Sequence, residues 1–386
     1  MTHRPDGLPV GLLFSPHSLT AEVEKTQIRA TCLAIEEVNA QGGVNGRPLV
    51  PHLPDIGAGA ADYRRAAERL CAEADVQVFF GTHMSNSRKA TLPVVEGRGA
   101  LLFYPTLYEG FEFSRNCLYT GAAPNQNSVQ LAAHILTRYG KRVFFVGNNY
   151  VFAHESNRIM RDLFEQAQGT VCAEIYLPFE VSAEALQQVM AQAEALAPDV
   201  IYSTLVGRDT VKLHEAFARS PLRGRGVPIA SVATNEADLA QMGAELAEGC
   251  LAAAPYFSSL RSDASLRFVA AYRARFGAQA PITAGAEAAY SQVWMFALAA
   301  AQAGFAGRAG QAGLSPLLEA LGTVRFDAPQ GPVKLDMDTH HSYLWPRIAQ
   351  ASAQGVFEVI GEAARRVKPE PFMVQHHFGG AYPEHV

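Results

Sequence analysis

Residues 9–53 read PVGLLFSPHSLTAEVEKTQIRATCLAIEEVNAQGGVNGRPLVPHL. Pro9 to Phe14 is a short apolar run between Pro9 and Ser15-Pro16, and it reads as a buried strand. Thr20 opens a helix, with Glu22 and Glu24 in the first turn at the positive end of the helix dipole. Ile28, Cys32, Ile35 and Val38 recur at helical spacing. Gly42-Gly43 stops the helix, Asn45-Gly46 makes a turn, and Leu49 to Leu53 is a second strand. Strand, helix, strand is the unit from which parallel sheets covered on both faces are built.

Working outward, the unit recurs. Helix 60–73 leads to strand Val76 to Phe80, and a helix near 87–97 to strand Ala100 to Phe103, with a short strand from Cys117 to Thr120. A second series follows. Strands begin at Arg142, Val171, Asp199, Val227 and Gly249, and helices separate them. Ala264 to Phe276, Ala284 to Gln302 and Leu314 to Leu321 are then three helical patterns without strong strands between them. Strand-like runs close the chain at Val333 to Leu335, Tyr343 to Ala349 and Val356 to Ile360. The stretch from Lys368 onward, rich in Pro and His, reads as irregular. The expected fold is α/β, with two Rossmann-like lobes of parallel sheet flanked by helices and hinged by three crossovers near residues 121, 252 and 328. One lobe takes residues 1–121 and 253–328, the other 122–252 and 329–386.

The 386 residues carry 48% hydrophobic and 18% charged side chains, which describes a folded globular chain. The charge balance is 32 − 37 = −5, with no cationic stripe for direct nucleic-acid binding. Cys32, Cys71, Cys117, Cys172 and Cys250 are far apart, odd in number and without a CxxC, so free thiols in a reducing compartment are expected. The run Leu8 to Phe14 is too short for a secretory core, and no apolar stretch reaches the ~18 residues of a membrane span. These readings lead to the expectation of a cytoplasmic protein.

Ligands of parallel α/β sheets bind at the carboxyl ends of the strands. Three strand-end loops offer suitable chemistry. The first presents His83, Ser85, Asn86 and Ser87 before a helix, where they could cap the helix, hold a ligand oxygen, or do both. The second is Tyr104-Pro105-Thr106-Leu107-Tyr108-Glu109-Gly110, with two aromatics and a hydroxyl for a small polar ligand; an ordinary Pro turn reads equally well. The third is Gly147-Asn148-Asn149-Tyr150-Val151-Phe152. Two loops in one lobe and one in the other would face each other across a cleft.

Enzyme motifs are weak. Gly57-Ala58-Gly59 lacks the third glycine of a dinucleotide fingerprint and reads as a helix entry. There is no P-loop and no GxSxG. His340-His341 and His376-His377 are adjacent pairs that cannot chelate alone, because neighbouring strand side chains point to opposite faces; they read as surface histidines. Glu36-Glu37 reads as a solvated helix face. No enzyme activity, cofactor or metal is expected.

Several stretches read together as a family pattern. They are GLLFS (11–15), AIEEVNAQGGVNGRPL ending at Leu49, SNSRKATLPVVE (85–96), YPTLYEGFE (104–112) and APNQN (123–127). HESNRIM (154–160), APYFSS (254–259) and FDAPQGPVKLD (326–336) complete it. Across residues 9 to 375 the chain resembles the urea- and short-amide-binding branch of the type I periplasmic-binding-protein superfamily, in particular its amide-sensing regulators of the AmiC type. That resemblance implies two lobes closing on a ligand, and a regulator that holds an RNA-binding antitermination protein of the ANTAR class (AmiR-like) inactive until amide binds. A homo-oligomer is expected with it. The alternative from the same superfamily is a solute-binding receptor for ABC-type uptake of urea, short amides or a related small molecule.

By the same resemblance Ser85 and Thr106 bind the amide, Tyr104 and Tyr150 are wall or hydrogen-bonding aromatics, and Val206 is a wall residue. The family pattern has Tyr at His83, Pro at Leu107 and Tyr at Phe152, so these three positions alter the pocket. His83 could titrate, which predicts an affinity that varies between pH 5 and 8. With Arg88 and Lys89 one helical turn inward and read as pointing away, hydroxyls are left to satisfy a neutral amide's carbonyl and NH₂.

Overall fold

The computed structural model describes residues 7–307, 311–374 and 378; His376-His377 lie outside them. The opening unit is β1 (Leu8–Leu13), α1 (Ala21–Ala40) and β2 (Leu49–His52), with parallel strands. Then come α2 (Ala60–Glu73), β3 (Val78–Gly81), α3 (Ser85–Gly97), β4 (Leu101–Tyr104) and β5 (Cys117–Tyr119). Every residue of β3, β4 and β5 is buried, as parallel strands covered on both faces must be.

The second series holds α4 (Ser128–Arg138), β6 (Arg142–Asn148), α5 (Val151–Gln166), β7 (Thr170–Leu177), α6 (Ala183–Leu196), β8 (Val200–Thr204) and α7 (Arg208–Ala218). The short α8 (Pro221–Gly224), β9 (Ile229–Ser231), α9 (Glu236–Met242), the short α10 (Ala244–Ala247) and β10 (Leu251–Ala254) complete it. Helices α11 (Asp263–Phe276), α12 (Ala284–Gln302) and α13 (Gln311–Thr323) precede β11 (Phe326–Ala328), β12 (Gly331–Asp336), β13 (His341–Tyr343), β14 (Arg347–Ala351) and β15 (Phe357–Glu362).

Two compact α/β units result. The first runs to Thr106 and includes Glu112–Gly121 and Arg261–Tyr343; the second holds Leu107–Phe111, Ala122–Leu260 and the residues after Tyr343. The first sheet has eight strands in the order β11-β12-β13-β5-β4-β3-β1-β2, the second seven in the order β15-β14-β10-β9-β8-β6-β7. Both are mostly parallel, with antiparallel pairs confined to the late strands.

The crossings differ from those the sequence predicts. The second falls after Leu260, because β10 pairs with β9 and β14 in the second sheet. The third falls after Tyr343 rather than near 328, because β12 and β13 extend the first sheet through His341 opposite Tyr119. The single strand predicted from Tyr343 to Ala349 is thus two strands in two sheets. Pro346, which has no N–H for a ladder, sits between them.

Each unit has its own core. In the first, Phe80 and Phe103 lie 5.4 Å apart, and Phe296 of α12 meets both rings edge-on at 5.9 Å. Helix α12 seats closely on α1. Thr26 and Thr283 hydroxyls are 2.9 Å apart, and a side chain at Gly285 would come within 2.8 Å of Gln27 Nε2. In the second, Phe145, Tyr202, Leu163, Phe164 and Ile159 belong to one buried cluster.

One expectation about polar residues is overturned. His340 and His341 are buried, not on the surface: His340 Nδ1 lies 3.3 Å from the Cys117 carbonyl and His341 stacks on Tyr119 at 4.3 Å. Glu36 is exposed, in a surface ion pair with Arg275, and the half-buried Glu37 accepts from the Tyr290 hydroxyl. The five cysteines are free, with Cys117 and Cys250 buried. Among the described residues no helix is long and apolar enough to cross a membrane, and no group of three or more His, Cys, Asp or Glu could hold a metal ion.

Candidate functional site

β3 and β4 are parallel neighbours, so the loops leaving their carboxyl ends start side by side. Gly81 ends β3 at φ 141°, and a Cβ there would fall 2.4 Å from the Leu13 carbonyl oxygen, so the chain can turn here only without a side chain. Ser85 is the first residue of α3 rather than a loop residue. The predicted Ser/Asn cap is not formed, because Met84 occupies the cap position; Ser87 Oγ instead donates to the Met84 carbonyl at 2.7 Å.

Four residues meet in the first unit. Gln27 Nε2 donates to Thr106 Oγ1 at 3.0 Å, and Gln27 Oε1 lies 3.1 Å from His83 Nδ1. Thr106 Oγ1 is 3.3 Å from the same Nδ1 and 3.4 Å from the Thr82 carbonyl. Thr82 Oγ1 is buried with no hydrogen-bond partner among the described residues. Burial pushes the His83 imidazole down to about 4, so it is neutral at pH 7.

Beneath them lies a charged layer. Arg88 is fully buried, 4.6 Å from the centre of the Tyr104 ring, with Nε donating to Glu112 Oε1 at 2.6 Å. Its Nη1 is 3.4 Å from Ser85 Oγ. Lys89 and the Tyr119 hydroxyl each donate to Glu112 at 3.0 Å. Burial works to raise the Glu112 carboxyl, but the Arg88 charge and the hydrogen bonds of Arg88 and Lys89 outweigh it and hold the group low. Arg88 thus lies under the Tyr104 ring, buried against Glu112 rather than solvated. Tyr104 is buried completely, and its hydroxyl donates to the His83 carbonyl at 2.7 Å, so it forms the floor under the loop.

The second unit places Tyr150, Phe152 and Val206 after the carboxyl ends of β6 and β8, which are also parallel neighbours. Tyr150 caps α5 and packs on Phe152 at 6.0 Å and on Phe179 at 5.2 Å. Leu107 and Tyr150 lean on the buried cluster that contains Phe152. Val206 N donates to Asn148 Oδ1 at 3.0 Å, and Asn148 in turn donates to the buried Asp209 at 2.9 Å. Phe152, Glu109, Ser128 and Ser156 line a cavity of about 10 Å³, room for roughly one water.

Gln27, Glu112 and Glu24 stand at no strand end and carry no such signal in the sequence. Glu24 has the place of a first-turn carboxylate at the helix dipole, but it is buried and accepts from Ser15 N and the Tyr63 hydroxyl at 2.7 Å each, and from Ser18 and Thr20. Burial raises its carboxyl despite those bonds. The available signal was polar residues in register on one helix face: Gln27 and Thr31, one turn apart, are both buried.

A family model described as a periplasmic binding protein domain matches residues 8–377. Among solved structures, an ABC-transporter solute-binding protein from R. palustris in complex with benzoate is 21% identical, with 95% of this chain and 98% of that one covered and a TM-score of 0.83. One from Rhodopseudomonas palustris HaA2, in complex with p-hydroxybenzoic acid, is 18% identical over 95% and 99% of the two chains, with a TM-score of 0.84. The branched-chain amino acid transporter substrate-binding protein from Streptococcus pneumoniae, in complex with isoleucine, is 18% identical over 94% and 100%, with a TM-score of 0.79. The family description overturns the expectation of a cytoplasmic protein, which rested on the short apolar run at the N-terminus and on cysteine usage.

Proposed function

We propose that this chain, which belongs to the family of periplasmic binding protein domains, is a solute-binding receptor that presents a small molecule to an ABC-type transporter. The observation that carries the reading is the grouping of His83, Ser85 and Thr106 at the carboxyl ends of β3 and β4, two interior strands of the first sheet, in a family of binding proteins. The structural neighbours, each named as a solute-binding protein of a transporter, support a receptor over a regulator. The antiterminator partner loses its ground together with the cytoplasmic location.

The solute is small and polar. Urea and short amides fit the Ser85 hydroxyl, which can give and take a hydrogen bond, beside a His83 ring that Thr106 and Gln27 hold in place. The Arg88 charge is matched by Glu112 and covered by Tyr104, so it serves the floor of the site. Leu107, Tyr150, Phe152 and Val206 are proposed as the second unit's own candidate binding residues.

A thermal-shift screen tests the reading, with urea, acetamide, propionamide, benzoate, 4-hydroxybenzoate and isoleucine as probes. At least one class should raise the unfolding midpoint. Ser85→Ala and Thr106→Ala should each weaken its binding by about 1–3 kcal/mol. No stabilisation by any of the six, or unchanged affinity in both variants, would remove the receptor assignment or move its site.

A further inference from the structure

The protons of the Gln27 network can be placed from its distances. An amide nitrogen only donates and an amide oxygen only accepts. Gln27 Nε2 faces Thr106 Oγ1, which leaves the Thr106 proton for the Thr82 carbonyl. Gln27 Oε1 and Thr106 Oγ1 both face His83 Nδ1, at 3.1 and 3.3 Å, so Nδ1 carries the ring hydrogen. Turning the Gln27 amide over would set lone pair against lone pair in two of these four contacts, Thr106 with Thr82 and Thr106 with His83. The neutral ring has one hydrogen, so Nε2 holds a bare lone pair. His83 as a residue is only partly buried, and its Nε2 takes no hydrogen bond from any described residue.

We propose that Gln27 locks His83 in the Nδ1–H tautomer, and that the receptor therefore selects solutes that offer an N–H or O–H to His83 Nε2 and rejects bare carboxylates. The inference rests on the receptor reading and narrows it. A carboxylate has only lone pairs to set against Nε2, whereas an amide of the same shape brings a hydrogen. Gln27 acts as a positioning residue through His83, with Thr106 as the link.

The matched pairs acetamide with acetate and benzamide with benzoate provide the test, by calorimetry at pH 7. The amide of at least one pair should bind about tenfold tighter or more, in line with the penalty for an unmet buried hydrogen-bonding group. Nitrogen-15 NMR of histidine-labelled protein should show the His83 ring as the Nδ1–H tautomer, assigned by its loss in His83→Phe. Gln27→Leu should shift that signal toward the other tautomer and narrow the amide preference. An Nε2–H or doubly protonated His83 at pH 7 overturns the inference even where solutes bind. A carboxylate that binds as well as its amide overturns it while leaving the receptor reading intact. Binding of neither these four compounds nor the wider panel would remove the receptor reading, and this inference with it.

Discussion

At the scale of single residues, Arg88 shows what one side chain hides. A charged residue early in an amphipathic helix reads as solvated, yet Arg88 is buried between an aromatic ring and Glu112. Arg88→Met takes the fully buried partner from the half-buried Glu112, which keeps Lys89 and Tyr119, and should cost up to about 3–5 kcal/mol, the usual result of breaking a buried ion pair from one side. Adding Glu112→Gln should restore a large part of it. Urea unfolding of the four proteins closes the cycle; a double variant no more stable than Arg88→Met would show that the pair is not coupled. His83, Ser85, Tyr104 and Thr106 are legible as candidates because they lie at or just after strand ends, where α/β ligands bind, whereas Gln27 is not, because it comes from a helix. His83 also corrects a pH expectation. Its pKa is lowered to about 4, so the Nε2 lone pair persists well below neutrality. Solute affinity should be flat from pH 8 to about 5 and fall only toward pH 4, rather than vary across 5 to 8. The sign for folding follows. The unfolded ring takes a proton near 6.5 that the folded ring refuses until about 4, so His83 removes stability as pH falls through that window. Calorimetric titrations at pH 8, 7, 6 and 5 decide it; a steep change above pH 6 would place a different titrating group at the site.

At the scale of elements, α1 explains the gap between pattern and structure. The apolar recurrence Ile28, Cys32, Ile35, Val38 found the helix, but Ile28 and Cys32 are only half-buried. The fully covered face instead carries Glu24, Gln27, Ala30, Thr31 and Ala34. Small and polar residues lie there because α12 approaches closely, so hydrophobicity finds the buried Ile35 and Val38 but passes over this face. Helix α9 carries the matching lesson at its start. Asn235 and Asp238 form a capping box in which Asp238 Oδ2 accepts from Asn235 N at 3.0 Å, while Asp238 Oδ1 is buried without a partner among the described residues. Burial pushes this carboxyl up to about 7. A raised acid pKa favours folding at low pH, and that contribution is lost as pH rises from about 4 through about 7. Asp238→Asn keeps an acceptor for the cap and never ionises, so its stability relative to the parent should grow from pH 5 to pH 8. Denaturant midpoints at the two pH values test this; a constant difference would mean that Asp238 ionises as readily folded as unfolded.

At the scale of the whole molecule, the strict alternation of strand and helix made two parallel α/β units legible from sequence, because buried parallel strands read as short apolar runs between helices. The returns at the end were harder. β12, β13 and β14 are similar short strands, and what assigns the first two to one sheet and the third to the other is long-range pairing, His341 opposite Tyr119 and Ala252 opposite Ala349, which no local pattern encodes. Two units with separate cores need not unfold together, but ligand linkage holds for each state that binds. A solute bound only by the native protein adds about 2.7 kcal/mol at 100 times its Kd and about 4.1 kcal/mol at 1,000 times, so stabilisation continues to grow with the logarithm of concentration after the sites are full. Scanning calorimetry across that range should show a midpoint that climbs steadily for the cognate solute. If only one unit contributes to the site, the unfolding transition should split as solute is added, with one part climbing and the other staying in place. A midpoint that stops rising at saturation would mean that the solute also binds the unfolded chain, and would remove that solute as the one the receptor is built to carry.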